Sequence, residues 1–315
     1  MNKTMGSFEW TLLIILSILW GGSFFFSKVA LNELPPFTVV FARVFLAAMA
    51  MNIVLLAKGQ RLPGSIKVWG TFLIMGLLNN LIPFSLIFWA QTEITSSLAS
   101  ILNGTTPIWT VLLAHFLTKD EKLSINKFTG IIIGFTGVIV MIGVEVLSGI
   151  GLNVLAQLAV VMATLSYAFA GIFGKRFGNI PPMIIATGQI TSTTIIMLPV
   201  VLWFDKPWLL STPSINTIGA LLGLSFLSTS VAYVIYFKLL FRAGATNLLL
   251  VTFLIPVSAS ILGITILDEV LNSQHYIGMI LIGLGLVAID GRLLKIRMNK
   301  TKGISNKLFK GTSNK

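Results

Sequence analysis

The side chains able to do chemistry in this sequence are polar residues set at helical spacing within apolar runs. Ser17, Trp20, Phe24 and Lys28 recur at intervals of three and four, so a helix places them on one face. On that face Lys28 is placed to receive a solute carboxylate, and Trp20 to stack on an apolar or cationic portion of the same solute. The competing reading extends Lys28 to a membrane edge and gives Trp20 to packing. Arg43 lies about seven residues into the next apolar run, where a charge needs water or a partner. An ion pair with Glu33 or Glu93, structural or gating, competes there with direct solute contact. Asn79 and Asn80 follow, then Asn103, Thr106 and Thr110, which align at i, i+3 and i+7. Later runs carry Thr164 with Tyr167, Gln189 with Ser192, and a stripe of Ser225, Thr229, Tyr233 and Tyr236. Uncharged hydrogen-bonding groups of this kind suit a compact polar solute; bonding between helices is the alternative use.

Other chemistries lack their residues. With no cysteine and only His115 and His275, far apart, the sequence offers no metal site and no disulfide, and it calls for no cofactor. His115 has no intramembrane Asp or Glu to serve as a catalytic partner, and no Walker lysine motif is present, so the reading is not an enzyme and not an ATPase.

The elements that must position these residues follow from composition. Of 315 residues 55% are hydrophobic and 10% charged, against roughly 25% charged in globular domains. Lipid is therefore the solvent for most of the chain. Crossing a hydrocarbon layer of ~30 Å takes about 20 apolar helical residues. Apolar runs bounded by Pro, Gly and charge predict helices over 10–31, 36–57, 67–89, 94–117, 125–145, 151–174, 181–204, 214–240, 245–267 and 274–294. The first run is read as a retained helix and not a signal peptide, because its pattern recurs at 164–175. With this count all but Lys28, Arg43 and Lys206 of the 22 basic residues fall on one side, which predicts a multi-pass plasma or inner membrane protein with both termini cytoplasmic. The net charge of +12 thus orients the protein; no soluble domain is left to bind nucleic acid.

The chain repeats itself. Trp20, Lys28 and Pro35 return as Tyr167, Lys175 and Pro182, a shift of about 147 residues, and Trp89, Pro107, Glu121, Gly130 and Gly137 return as Tyr236, Pro256, Glu269, Gly278 and Gly285. Residues 1–147 and 148–294 form two units, followed by a basic cytoplasmic tail over 295–315. Five helices per unit is an odd number, so the second enters the membrane in the opposite direction. The expected fold class is an all-α polytopic membrane protein of about ten transmembrane helices in two inverted five-helix repeats. Such repeats allow alternating access to a site near the midplane.

The residues Trp20-Gly21-Gly22, Lys28, Pro35 and Arg43, with Pro107, Glu121 and Gly130 and their copies Pro256, Glu269 and Gly278, make the chain resemble an EamA-type permease of the drug/metabolite transporter superfamily over about residues 10–294. The resemblance implies a central cavity lined by both halves and the export of amino acids or related metabolites. Ile190 stands at the counterpart of Arg43, so any role of that arginine belongs to one half. The solute and the bilayer are the partners expected. Import or facilitated passage of a sugar, nucleoside or amine drug, or a scaffold role, are the alternatives. Gly130, Gly134 and Gly137, like Gly278 and Gly285, form small-residue edges expected to pack within a half, with a homodimer as the other use. Pro107 and Pro256 are read as bends, static or gating. Glu93 is the carboxylate proposed for proton coupling, and Glu121 and Glu269 are read as caps of the helices that follow them.

Overall fold

In lipid every backbone N–H and C=O must be bonded within its own segment, and the apolar runs accordingly fold as helices. A computed structural model describes residues 6–117, 125–142, 151–178, 180–243, 248 and 251–290. The helices are α1 (Ser7–Leu31), α2 (Pro36–Ala57), α3 (Ile66–Glu93), α4 (Ser96–Leu117), α5 (Ile125–Ile142), α6 (Leu152–Phe173) and α7 (Pro182–Phe204). Next comes α8, made of Ile215–Leu222, Gly223–Val231 and Ala232–Ala243, and then α9 (Val251–Ile266) and α10 (Ser273–Asp290). Seven of these are long and apolar enough to cross a membrane, and α5, α9 and α10 supply three shorter apolar stretches. Local chemistry sets the ends. Pro36 and Pro182 occupy first-turn positions that need no N–H, while Thr95 and Ser214 cap α4 and α8 by accepting from Leu98 N and Thr217 N.

Packing follows the repeat. Helix α1 packs against α8 and α9, and its counterpart α6 packs against α3 and α4. Helices α2 and α7 pair with each other, as do α5 and α10. Both pairs run antiparallel. In the first, Thr38 meets Asp205 while Asn52 Nδ2 donates to Thr191 Oγ1 at 3.0 Å. In the second, Gly130 lies against Gly285 and Gly137 against Gly278. A Cβ on Gly130 would come within 2.5 Å of the Gly285 carbonyl, and one on Gly285 within 2.6 Å of the Gly130 carbonyl. Gly130, Gly137, Gly278 and Gly285 therefore serve contact between the two halves, while Gly134 also makes room for Ile108 of α4 within its own half. Gly21 has the same explanation: a Cβ there would collide with Ser258 and Ala259 of α9, whereas one on Gly22 would make only ordinary contacts.

At the end of the bundle where α1, α3, α7 and α9 finish, three carboxylates reach from one half to a helix start in the other. Asp205 Oδ2 accepts from Thr38 N at 2.6 Å and Thr38 Oγ1 at 2.9 Å; Glu33 accepts from Ser214 N at 2.7 Å and Ser214 Oγ at 2.6 Å. Glu269 accepts from Ser96 N at 2.6 Å, Ser97 N at 2.9 Å and Ser97 Oγ at 2.5 Å. Each anion sits at the positive end of a helix dipole. Glu269 thus caps α4 in the other half, not α10 that follows it, because its chain turns back over Gly263. Glu121 lies outside the described residues. At the opposite end Arg242 Nε meets Glu9 Oε1 at 2.8 Å, an ion pair weakened by solvent at an arginine that is 53% exposed.

Candidate functional site

The helices that cross near mid-depth are irregular there. Helix α3 widens to a π-helix over Leu77–Leu81 and α8 over Gly223–Val231, positions related by the repeat. A π segment leaves local hydrogen bonds less regular and re-aims side chains, and it recurs at functional positions. Asn79 and Asn80 sit on the first segment and Thr229 on the second, with Tyr233 and Tyr236 just beyond it. Pattern reading passes over such segments, because a single wider i→i+5 turn inside a long apolar helix shifts the spacing too little to stand out from the α-helical turns on either side.

Arg43, about 10 Å along α2 from its first residue, is 6% exposed. Its Nε donates to Thr229 Oγ1 at 3.0 Å, and its guanidinium carbon lies 3.9 Å from the Phe84 ring centre and 5.8 Å from that of Phe88. The carboxylates expected to pair with it are elsewhere: Glu33 holds Ser214, and Glu93 is exposed at the end of α3. Tyr167 of α6 and Tyr233 of α8 are within electrostatic reach of the arginine. Asn79 Nδ2 approaches Gln189 Oε1 at 3.4 Å, and Gln189 Nε2 donates to the Tyr233 hydroxyl at 3.2 Å. Tyr233 packs edge-on to Tyr236, whose ring lies 5.7 Å from Trp20. Trp20, Asn79, Tyr167, Gln189, Tyr233 and Tyr236, expected at a solute site, thereby gather from α1, α3, α6, α7 and α8 around Arg43. Phe84, Phe88 and Thr229 complete the group. Sequence reading passed over the two phenylalanines, since an aromatic residue in an apolar run carries no signal of its own.

Other expected residues fall outside this cluster. Asn80 is fully buried beside it, Nδ2 on Thr193 Oγ1 at 3.2 Å and Oδ1 without a partner among the described residues. Lys28 donates to the carbonyls of Gln91 at 2.5 Å and Ile94 at 3.1 Å, closing the carboxyl end of α3. Thr106 bonds back to the Asn103 carbonyl at 2.8 Å, and neither residue hydrogen-bonds the cluster. Helix α4 breaks at Gly104 and Thr105, so Pro107 falls in the first turn of its second segment, where no N–H is needed. Pro256 lies inside α9 and faces that break, 3.2 Å from where a Cβ on Gly104 would stand.

The comparisons agree with this architecture. The model of a family described as EamA-like transporters matches twice, over residues 8–143 and 154–289. An uncharacterized transporter, YoaV, of Bacillus subtilis strain 168 is 24% identical over 279 residues, covering 87% of this chain and 94% of its own length. A probable amino-acid metabolite efflux pump of Escherichia coli K12 is 26% identical over 289 residues, 87% and 92% of the two chains. A solved crystal structure superposes with a TM-score of 0.65 at 19% identity, covering 90% of this chain and 97% of the other, which speaks to the fold.

Proposed function

This chain belongs to the EamA-like transporter family, and we propose that it is a secondary transporter exporting amino acids or related small metabolites by alternating access. The reading takes α1 to α10 as ten membrane spans in two inverted five-helix repeats, over residues 1–147 and 148–294, with a basic tail over 295–315 and both termini cytoplasmic. The antiparallel run of the equivalent pairs α2 with α7 and α5 with α10 supports the inversion. The observation that carries the function is the buried cluster around Arg43, built at mid-depth by five helices of both halves and resting on the paired π segments.

In this reading the solute occupies the cluster. Asn79, Gln189 and Tyr233 exchange their mutual hydrogen bonds for bonds to it, and Trp20, Tyr167 and Tyr236 wall its apolar part. Asn80 supports the first π segment, while Lys28, Asn103 and Thr106 belong to the frame. The end clasped by Glu33, Asp205 and Glu269 is assigned to the outside. The repeat relates Asp205 to Lys58 and Glu33 to Ile180, so two of the three clasps have no equivalent on the inner side, and only Glu269 has an acidic counterpart, Glu121. The carrier accordingly rests closed to the outside, and export proceeds when the outer clasps part. Counterflow of a labelled amino-acid panel into liposomes holding the purified chain tests this; uptake no faster than in protein-free liposomes for every solute refutes it.

A further inference from the structure

We propose that the transported solute carries a carboxylate, and that Arg43 receives it as the counter-ion the protein itself does not supply. This deepens the transport reading and rests on it. A guanidinium at 6% exposure is stable only with its charge balanced and its donors used. Arg43 spends Nε on Thr229 and one face on Phe84, and its remaining N–H groups have no acceptor among the described residues. The terminal nitrogens form the planar fork that matches a carboxylate with two parallel bonds.

No acidic residue among the described residues fills that place. Glu9 is on Arg242, Glu33 on Ser214, Asp205 on Thr38 and Glu269 on Ser96 and Ser97, while Glu93 and Asp268 are exposed. Asp290 ends α10; Asp120, Glu121 and Glu145 lie outside the described residues, the first two in sequence between apolar runs and Glu145 at the end of the predicted run over 125–145. No acidic residue stands in the middle of an apolar run, so an anion at mid-depth must come from the solute. The same fact sets selectivity: an ammonium finds only neutral acceptors, Asn79, Gln189 and Tyr233, and aromatic faces. Amines and sugars without an acid group are poor ligands of this site, and an amino acid enters by its carboxylate.

The test uses the full chain purified in detergent and in liposomes with phenylalanine, 3-phenylpropionate, phenylalaninamide and phenethylamine, and the same four forms on the alanine and leucine skeletons. Melting temperature reports binding, and exchange of the labelled compounds reports transport. Acids are expected to bind and exchange at least about tenfold better than the amide of the same skeleton, the least that loss of a charge-assisted pair produces. Arg43→Lys is expected to keep part of this preference and Arg43→Gln to lose it. Amide or amine binding as tight as the acid on every skeleton overturns the inference, as does an acid preference that survives in folded Arg43→Gln. If Arg43→Gln does not fold, the comparison among probes on the unaltered chain decides. Acid-dependent stabilisation without exchange overturns the transport reading and leaves the anion site standing. Exchange of neutral or cationic solutes alone does the reverse, and stabilisation by no acid overturns the anion site.

Discussion

Glu269→Gln separates the clasp from mere proximity. The carboxylate accepts three hydrogen bonds, from Ser96 N, Ser97 N and Ser97 Oγ, at the start of α4, and Lys28 lies within its electrostatic reach. A glutamine keeps the shape but offers one oxygen and turns an N–H₂ toward donors, so about two of the three bonds are lost together with the charge at the helix dipole. At ~1.5 kcal/mol for each charge-assisted bond the cost is about 3 kcal/mol. Each kilocalorie is worth about 2–4 °C in a domain of 150–250 residues, so melting in detergent falls by roughly 6–12 °C. On the proposed alternating-access reading the clasp exists only when that end is shut, and the same energy then shifts the closed-to-open ratio by about 150-fold. The chain has no cysteine, so a single Leu98→Cys, at a buried position beside the clasp, reads that opening as faster labelling by a water-soluble maleimide. Gly263→Ala should act alike without removing the charge, since its Cβ would intrude on Glu269 and the Ser97 hydroxyl. Melting within about 1 °C of the parent and unchanged labelling for Glu269→Gln would refute the reasoning.

Further outcomes test separate parts of the account. Gly285→Ala puts a Cβ 2.6 Å from the Gly130 carbonyl and 2.7 Å from Gly134 N, and should cost about 1–3 kcal/mol by overpacking, whereas Gly283→Ala, with open space around it, should melt like the parent. Bonds from Ser214 hold the Glu33 carboxyl below its ordinary value of about 4.3, so the bonded anion contributes stability above that pH, and this is lost as pH falls through the lowered folded value. The melting difference between parent and Glu33→Gln should therefore stay constant from pH 7 to 5 and shrink below about pH 4; a difference that grows on acidification contradicts the assignment. Trp20→Ala removes the ring 5.7 Å from Tyr236, a contact worth about 0.5–1.5 kcal/mol beyond its area, and should cut solute exchange while the protein stays folded. Parental exchange by that variant would take Trp20 out of the site.

Much of the framework was legible because its signals are local. Proline pairs and capping hydroxyls mark where α2, α4, α7 and α8 begin, and the predicted 36–57 coincides with Pro36–Ala57. The polar residues of α1, α3, α6, α7 and α8 were likewise identified by type and spacing. What spacing could not supply was their partners. Arg43 was expected to seek a carboxylate, yet its hydrogen bond goes to Thr229, 186 residues away, and its face to a phenylalanine indistinguishable in sequence from its apolar neighbours. The glycine edges were visible as small residues, but not that they meet across the two halves, because a helix face does not name the helix it will touch. Lys28 and Glu269 were read from their nearest helices, and both act on helix ends brought close only by the tertiary fold.

The central claim, a buried site reached alternately from two sides, is tested most directly by exchange through a carrier whose outer end can be locked. A Thr38→Cys/Asp205→Cys pair, introduced where those side chains meet at 2.9 Å, is oxidised in liposomes loaded with unlabelled amino acid, and entry of the labelled compound is followed before and after reduction. The account predicts exchange in the reduced carrier, its loss on cross-linking and its return with reductant. Exchange that continues unchanged through the cross-linked protein would contradict it.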